Sequence, residues 1–487
     1  MANLNSFQFR QSEFNDLKDE QLHLNEVAQT PSPSTKPSSD LKKGRGLESH
    51  FPLPEFQDDS LDTVPHVVDA TMFWSATGGG VKRYLQVKHD WLTQSAGWKH
   101  TIVAPGSRVE HANFQQIGTN DLNWVNCGGM PLPLSGGYRI PLRRNQAKNR
   151  IVAQSPDLIE VGDPYRLAWA ALDAGQQLGV PTVAFCHSNL AAMAARVLGG
   201  VLGGVVGSGR SSEWASELAA KYLKRTYAGF DLVLAPSLHM VNVLREMGVA
   251  HVCRQPLGVN SQTFHPRMRD PEWRRELGLP DSARLLLYVG RFAPEKNLSV
   301  LADAVAKLGP EYWLIALGAG PTPPLGAQVK VLNYQSSEND VARAMASADA
   351  FVHAGDQETF GLSVLEAMAS GTPVIVRNKA GLGELISRGN GNAVDTDNPN
   401  DWAEVITAVF TESDATRHFR LASARRIAED YDWRRVMPRL QAHYRGLIGA
   451  ASNVYSKSQE ENYRMECNDL VLDKSRWNNS ITMQNNS

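Results

Sequence analysis

Two glutamates stand eight positions apart in the segment Glu358-Thr-Phe-Gly-Leu-Ser-Val-Leu-Glu366. A buried strand is predicted to end at about Ala354, and a helix is predicted to begin near Gly361 and end at Gly371. Glu358 would precede a helix whose free N–H groups can hold a phosphate, and Glu366 would lie in its second turn. The pair is compatible with general acid and base roles or with hydroxyl binding by each glutamate. A helix cap and a solvated glutamate are the plain structural alternative.

Two cations follow a strand in the same half of the chain, in the segment Gly290-Arg291-Phe-Ala-Pro-Glu-Lys296. The strand delivers Gly290 to the predicted sheet edge, where the missing side chain lets a ligand approach the backbone. Arg291 offers a planar fork for paired oxygens, and Lys296 offers a mobile point charge. The two suit a ligand that carries phosphate, although a surface Arg and Lys in a polar loop would look the same.

Two further segments lie at predicted strand ends in the first half. The glycines Gly78, Gly79 and Gly80 separate a strand from a helix and free the backbone to approach an anion or a sugar. His187 ends the strand Pro-Thr-Val-Ala-Phe and faces the same edge. A lone histidine is also commonly a hydrogen-bonded structural residue. Both segments are therefore candidates for one shared site.

Strands and helices alternate along the chain between two polar ends. The β-branched runs predict parallel sheets, and the series restarts after the segment Pro256–Asn260. The predicted fold class is α/β, with two doubly wound Rossmann-like domains that face a central cleft where ligands bind. The predicted organisation is a disordered tail (1–60), a first domain (61–258), a second domain (259–432), a C-terminal helix that returns to the first domain (433–450) and a disordered tail (451–487).

Charge and cysteine usage exclude several functions. The formal net charge of −2 gives no general attraction to nucleic acid. The four cysteines have no zinc-site spacing, and the Asp395-Thr-Asp397 segment is predicted to be a polar turn, so no metal is assigned. The N-terminus lacks the pattern of a signal peptide, and no stretch is typical of a membrane span. We therefore expect a cytoplasmic protein.

The segment ETFGLSVLEAMASGTPVI, with its Glu-x7-Glu spacing, resembles the signature of retaining family 4 glycosyltransferases of the GT-B fold. The resemblance covers roughly residues 65 to 448 and includes the Gly290-Arg291 and Lys296 segment. It implies that Glu358 contacts the transferred sugar and that Glu366 binds the ribose hydroxyls of the donor. It implies in addition that the second domain holds a nucleotide sugar and the first domain an acceptor.

The resemblance assigns roles to the remaining residues. Arg291 and Lys296 would stabilise the departing diphosphate, and His187 would lie beside the sugar. The backbone at five positions would contact the phosphate or the sugar: Gly79, Gly80, Phe360, Gly361 and Leu362. Gly290 would let the donor approach the end of its strand.

The activity that the resemblance implies is retaining transfer of a hexose from a nucleotide-sugar co-substrate to a glycan or lipid-linked acceptor. Mannose from GDP-mannose is the first expectation and UDP-glucose the next, with no metal or other cofactor. A phosphorylase and a catalytically inert sugar-binding protein on the same fold are the alternatives. The apolar stretch 198–206 and the basic stretch 221–225 are candidates for peripheral contact with the inner face of a membrane, and core and loop residues are the alternative.

Overall fold

The computed structural model describes residues 63–74, 79–106, 123–131, 137–188, 210–386 and 389–451. Both predicted tails lie outside these residues, apart from the end of the last helix. Gly78 and the apolar stretch 198–206 also lie outside them. Within the described part of the chain, no helix is long and apolar enough to cross a membrane.

The first sheet consists of parallel strands in the order β3-β2-β1-β6-β7-β8-β9. Its central strands are buried on both faces, which explains their continuous runs of apolar and β-branched residues. A short antiparallel pair, β4 and β5, lies apart from it. The strands are β1 (His66–Ala70), β2 (Lys99–Ala104), β3 (Asn123–Asn126), β4 (Met130–Pro131), β5 (Arg139–Ile140), β6 (Leu158–Val161), β7 (Thr182–Phe185), β8 (Leu232–Ala235) and β9 (Val252–Arg254).

The second sheet is also parallel, in the order β12-β11-β10-β13-β14-β15. The predicted fold class of two doubly wound α/β domains is confirmed. The strands are β10 (Arg284–Arg291), β11 (Tyr312–Ala319), β12 (Val329–Asn333), β13 (Ala350–His353), β14 (Val374–Arg377) and β15 (Asn392–Val394).

Helices cover both sheets, and their buried faces complete the apolar cores. In chain order they are α1 (Gly80–Asp90), α2 (Arg144–Val152), α3 (Arg166–Leu178), α4 (Arg210–Tyr227), α5 (Leu238–Glu246), α6 (Pro271–Glu276), α7 (Leu298–Leu308), α8 (Glu338–Ser347), α9 (Leu362–Ala369), α10 (Ala380–Ile386), α11 (Pro399–Thr411), α12 (Asp414–Asp430) and α13 (Trp433–Ala451). A π-helical turn (Trp91–Ser95) follows α1, and 3₁₀ turns lie at Pro266–Met268 and Pro294–Lys296.

A buried polar cluster fixes α1 against the first sheet. The Lys88 ammonium group is fully buried and lies 2.8 Å from the carboxylates of Asp69 in β1 and Glu160 in β6. Tyr84 in α1 and Tyr444 in α13 both donate hydrogen bonds to Glu160. A buried charge is tolerated when it is paired and hydrogen bonded in this way. The cluster therefore ties α1 and the last helix to the first sheet.

Each sheet reverses its strand order once. In the second sheet the chain proceeds outward from β10 to β12 and then returns to place β13 on the other side of β10. Ligands in open α/β sheets bind beyond the carboxyl ends of the strands at such a reversal. The loops after β10 and β13, which carry Lys296 and Glu358, therefore lie at the expected ligand position.

Candidate active site

The loop after β10 is shaped so that Lys296 reaches the loop after β13. Lys296 ends the 3₁₀ turn Pro294–Lys296, and Asn297 then takes a left-handed conformation with φ of 51°. Asparagine tolerates this conformation better than most residues. Its side-chain amide donates a 3.1 Å hydrogen bond to the carbonyl oxygen of Ala354, just beyond β13. This bond joins the two loops and places the predicted phosphate ligand, Lys296, beside the predicted sugar ligand.

Glu358 accepts hydrogen bonds from two side chains. The Lys296 ammonium group forms an ion pair with its carboxylate, and His353 Nε2 lies 3.2 Å from the same oxygen. The backbone N–H of Gly355 donates to His353 Nδ1, so the ring proton lies on Nε2 and points to Glu358. Burial disfavours the charge on Glu358, but the charge of Lys296 and the hydrogen bond from His353 outweigh it. The pKa of Glu358 is held well below its usual range, and the group is ionised.

Arg291 lies at the end of β10 but does not join this cluster. Its side chain is 58% exposed and pairs with Glu295, four residues further on. Gly290 has a positive φ of 155°, and a β-carbon at Gly318 in β11 would overlap its carbonyl oxygen. Glycine at both positions lets the ends of β10 and β11 approach each other closely. Of the two predicted cations, the structure brings Lys296 to Glu358 and leaves Arg291 exposed at the rim of the site, paired with Glu295.

Two helix N-termini from different domains meet at the site. A β-carbon at Gly80, the first residue of α1, would lie 2.6 Å from Leu362 Cδ1, the first residue of α9. The preceding residues, Gly79 and Gly361, provide no side-chain cap, and Gly361 has a positive φ of 98°. The first turns of both helices therefore keep backbone N–H groups without an intrahelical acceptor. The four residues, whose backbone was predicted to contact the phosphate or the sugar, lie together at two helix N-termini. The dipoles of both helices favour an anion there.

Phe360 has a structural contact beside this region. Its ring is buried and lies edge-on to the Tyr431 ring, with 5.5 Å between the ring centres. Its side chain therefore belongs to the core, and the ligand contact predicted for it involves its backbone.

Glu366 lies in α9, one turn beyond Leu362, and is 4% exposed. The alternative that it is a solvated surface glutamate is therefore wrong. Its carboxylate forms an ion pair with Arg83 of α1, and the Nε atom of Arg83 lies 3.0 Å from Glu338 in α8. Sequence reasoning missed Arg83, although it lies three residues after the predicted glycine loop and one helical turn along the same face.

His187 lies against the loop that carries Glu358. Thr359 donates a 3.0 Å hydrogen bond from its hydroxyl to the His187 carbonyl oxygen, which joins the two domains. The imidazole stacks on Phe185 at 4.3 Å, and its buried Nε2 has no hydrogen-bond partner among the described residues. Burial, together with the charge of Lys88, lowers the pKa of His187 to about 3. A neutral imidazole at this position can hydrogen bond to a ligand but does not carry a positive charge.

His353 is the second site residue that the sequence did not single out. It ends β13 as His187 follows β7, and this placement at a strand end was the available signal.

The Asp395-Thr-Asp397 segment lies in separate contacts, since Asp395 accepts a hydrogen bond from Asn378 and Asp397 pairs with Arg377. Among the residues that the structure describes, no group of three or more His, Cys, Asp or Glu side chains is arranged to hold a metal ion.

A basic face lies on the first domain where α2, α3 and α4 meet. The guanidinium carbons of Arg144 in α2 and Arg225 in α4 lie 5.5 and 5.7 Å from the ring centre of Trp169 in α3. A groove of about 810 Å³ beside α2 is lined by Arg143, Arg144, Asn145, Gln146, Asn149, Arg150 and Ala153. Large apolar side chains on the same helices and the loop before α2 are exposed, namely Leu142 (54%), Leu218 (52%) and Tyr222 (41%). The predicted basic stretch 221–225 is part of this face.

Two protein families match the chain, one on each half. Residues 78–263 match the family described as Glycosyltransferase Family 4, and residues 269–426 match the family described as Glycosyl transferases group 1. The two matches together include both loops that carry Lys296 and Glu358, both helix N-termini and His187.

Similar proteins of known activity and structure agree with these matches. The GDP-mannose-dependent alpha-(1-6)-phosphatidylinositol dimannoside mannosyltransferase of Mycobacterium tuberculosis is 28% identical over 380 residues, which is 76% of this chain and 93% of the relative. A GDP-mannose-dependent alpha-mannosyltransferase of Mycolicibacterium smegmatis is 31% identical over 301 residues, covering 61% and 75% of the two chains. Sucrose-phosphate synthase from Thermosynechococcus elongatus superposes with a TM-score of 0.63 at 21% identity, covering 80% of this chain and 100% of that one. At that identity the similarity shows the fold.

Proposed function

The chain belongs to glycosyltransferase family 4, the glycosyl transferases group 1, and we propose that it transfers mannose from GDP-mannose to a lipid-linked acceptor at a membrane surface. It is a retaining glycosyltransferase with a GT-B fold, as the sequence predicted. The proposal adds the donor, the acceptor class and the roles of individual residues. Mannose and GDP are preferred because several relatives carry them in their names, including the two mannosyltransferases described above.

The ion pair between Lys296 and Glu358 carries the assignment of the donor site. It lies at the strand-order reversal of the second sheet, where an α/β domain binds nucleotides. In the proposed complex the diphosphate lies between Lys296 and the N-termini of α1 and α9, with Arg291 at the rim. Glu358 accepts hydrogen bonds from hydroxyl groups of the sugar, and Glu366 accepts them from the ribose. His187 offers its free ring nitrogen to the sugar from the first domain.

The proposed reaction proceeds on one face of the sugar. The bond between the anomeric carbon and the phosphate oxygen breaks, and the acceptor hydroxyl oxygen bonds to that carbon on the same face. The departing phosphate oxygen takes the proton of the acceptor hydroxyl, so the step requires no base from the protein. Negative charge grows on the diphosphate as it leaves, and Lys296 and the two helix N-termini stabilise that charge more strongly in the transition state than before it.

The basic face supports an acceptor at a lipid surface. Exposed apolar side chains beside arginines and lysines are the features that hold a protein in the interface of an anionic bilayer. In this chain Leu142 and Arg143 are adjacent, and Leu218, Tyr222 and Arg225 follow one another along α4. We therefore place the acceptor side of the enzyme toward the membrane surface and propose peripheral contact there.

A panel of nucleotide sugars tests the donor assignment. GDP-mannose should raise the midpoint of thermal unfolding more than UDP-glucose at equal concentration, because binding to the folded state stabilises it. With GDP-mannose as the donor, the enzyme should also transfer radiolabelled mannose to a lipid extract that contains phosphatidylinositol. Stabilisation by UDP-glucose alone would reject the donor, and glycoside cleavage that requires inorganic phosphate would favour a phosphorylase.

A vesicle-binding assay tests the membrane contact separately. The double variant Arg143→Glu with Arg150→Glu should no longer cosediment with phosphatidylglycerol vesicles. Its turnover on a detergent-dispersed acceptor should remain at the wild-type level. The matched control is Lys307→Glu with Arg426→Glu, which makes the same charge change at two exposed positions of the second domain. Equal binding of both double variants would reject the proposed face.

A further inference from the structure

We propose that Arg83 is a positioning residue that competes with the donor ribose for Glu366, so that nucleotide binding weakens the ion pair between Arg83 and Glu366. The inference rests on the proposed function, in which Glu366 binds the ribose hydroxyls.

Arg83 lies between two carboxylates of the opposite domain. It projects from α1, in the first domain, and pairs with Glu366 of α9 and Glu338 of α8. Its guanidinium carbon also lies 5.8 Å from the ring centre of Phe264. The Arg83 side chain is 27% exposed and that of Glu366 is 6% exposed, so the pair is largely shielded from water. Such a pair is more costly to break than an exposed one.

Glu366 cannot serve Arg83 and a ribose fully at the same time. Within the described residues, Arg83 is the side chain that hydrogen bonds to the Glu366 carboxylate. Arg83 occupies an acceptor site on one oxygen of that carboxylate, so a ribose hydroxyl that binds the same oxygen has to share it with the guanidinium group, and the bond to Arg83 is weakened. The energy of the ion pair is therefore subtracted from the gain in binding the ribose.

The position of Arg83 distinguishes this role from that of a phosphate ligand. Its Nη1 group is already engaged by Glu366 in the second turn of α9, and its Nε group by Glu338 in the first turn of α8. After release from Glu366, its bond to Glu338 still holds it in place. Glu338 therefore provides the alternative partner that makes the exchange possible without an unpaired charge.

Titration calorimetry with four ligands tests the competition: GDP, UDP and the 2′,3′-dideoxy form of each. Arg83→Gln should bind the matching nucleoside diphosphate about three- to tenfold more tightly than the wild type does, and should bind its dideoxy form with unchanged affinity. Adding Glu366→Gln should abolish the gain. Arg83→Lys, which keeps the charge and loses the fork, should lie between the two and serves if the glutamine variant does not fold.

Arg343→Gln is the matched control. Arg343 also lies between two carboxylates, Asp270 and Glu276, and its side chain is 27% exposed as well, but neither carboxylate is assigned to the donor site. Arg343→Gln should leave the affinities for the nucleoside diphosphate and for its dideoxy form unchanged.

Each outcome decides a different point. If Arg83→Gln weakens binding of the ribose and dideoxy forms equally, Arg83 binds phosphate and the competition is rejected. If it leaves both unchanged, Glu366 is not limited by Arg83 and the inference also fails. If the wild type binds neither GDP nor UDP, the proposed donor site fails, and the inference falls with it.

Discussion

Replacing Lys296 with methionine removes the ammonium group that faces Glu358 while keeping most of the apolar length of the side chain. Before a donor binds, the change leaves a partly buried carboxylate that retains its hydrogen bond from His353. In the reacting enzyme it removes a fixed positive charge from the place where the diphosphate is proposed to leave. The two consequences affect different measurements and can be separated.

The expected magnitudes depend on these surroundings. The side chains of Lys296 and Glu358 are 16% and 21% exposed, so the pair is neither a surface pair nor fully buried. We expect the free energy of unfolding to fall by about 2 kcal/mol, below the cost of breaking a fully buried pair. Removal of one preorganised group that stabilises transition-state charge costs roughly 10²- to 10³-fold in kcat. Binding of the intact donor should weaken far less, because its phosphate carries less charge before the bond breaks.

The assay compares kcat for mannosyl transfer with the Kd of GDP-mannose, and urea unfolding measures stability. Lys307→Met is the control, since Lys307 is an exposed lysine in the last turn of α7 and in the same domain. A Lys296→Met enzyme with normal kcat would refute the role assigned to Lys296. Equal losses in kcat and in donor affinity would refute the argument that its effect is specific to the transition state.

Three further predictions concern single contacts. Glu358 has a pKa below its ordinary value of 4.5, so the stability that it contributes is complete above about pH 4.5 and is lost as the pH falls toward the pKa of the folded state. The unfolding free energy of the wild type minus that of Glu358→Gln should therefore shrink from about pH 6 to about pH 3 in urea titrations. A constant difference would contradict the ion pair. Gly318→Ala should lower the thermal midpoint by several degrees because its β-carbon would overlap a backbone carbonyl, whereas Gly79→Ala, with no atom within 4 Å of the added carbon, should leave the midpoint unchanged. Thr359→Val removes the hydroxyl that reaches the His187 carbonyl and should cost about 1 kcal/mol in urea unfolding, and an unchanged value would show that this contact between domains adds nothing to stability.

The sequence was sufficient for the fold because each local pattern agreed with one architecture. Buried parallel strands require continuous apolar runs, and the helical stretches between them exclude a direct antiparallel connection. Two glycines have a positive φ that other residues resist, namely Gly290 near the end of β10 and Gly361 directly before α9. The placement of Lys296 beside Glu358 is then a consequence of the reversal of strand order.

Contacts between the domains could not be predicted in the same way. Arg83 looks like an exposed helix residue in the sequence, because its partners Glu338 and Glu366 lie more than 250 positions away. Glu366 has the same difficulty, and its burial depends on how α1 lies against α9. His353 was overlooked for a different reason: a histidine within an apolar run reads as part of a buried strand, and its tautomer depends on the turn after the strand.

Both glutamates proposed to bind the donor already have a cationic partner before a donor enters. Lys296 and His353 hold Glu358, and Arg83 holds Glu366. Either ionised carboxylate alone would be costly at this degree of burial, and protonation would turn one of its acceptor oxygens into a hydrogen-bond donor. Lys296 and His353 keep Glu358 ionised, and the two ion pairs respond differently to the donor. Lys296 can continue to contact Glu358 while it binds phosphate, because an ammonium group has three donors. In the proposed complex Arg83 shares Glu366 with the ribose, so binding of the ribose end weakens an existing ion pair, whereas binding of the phosphate end does not.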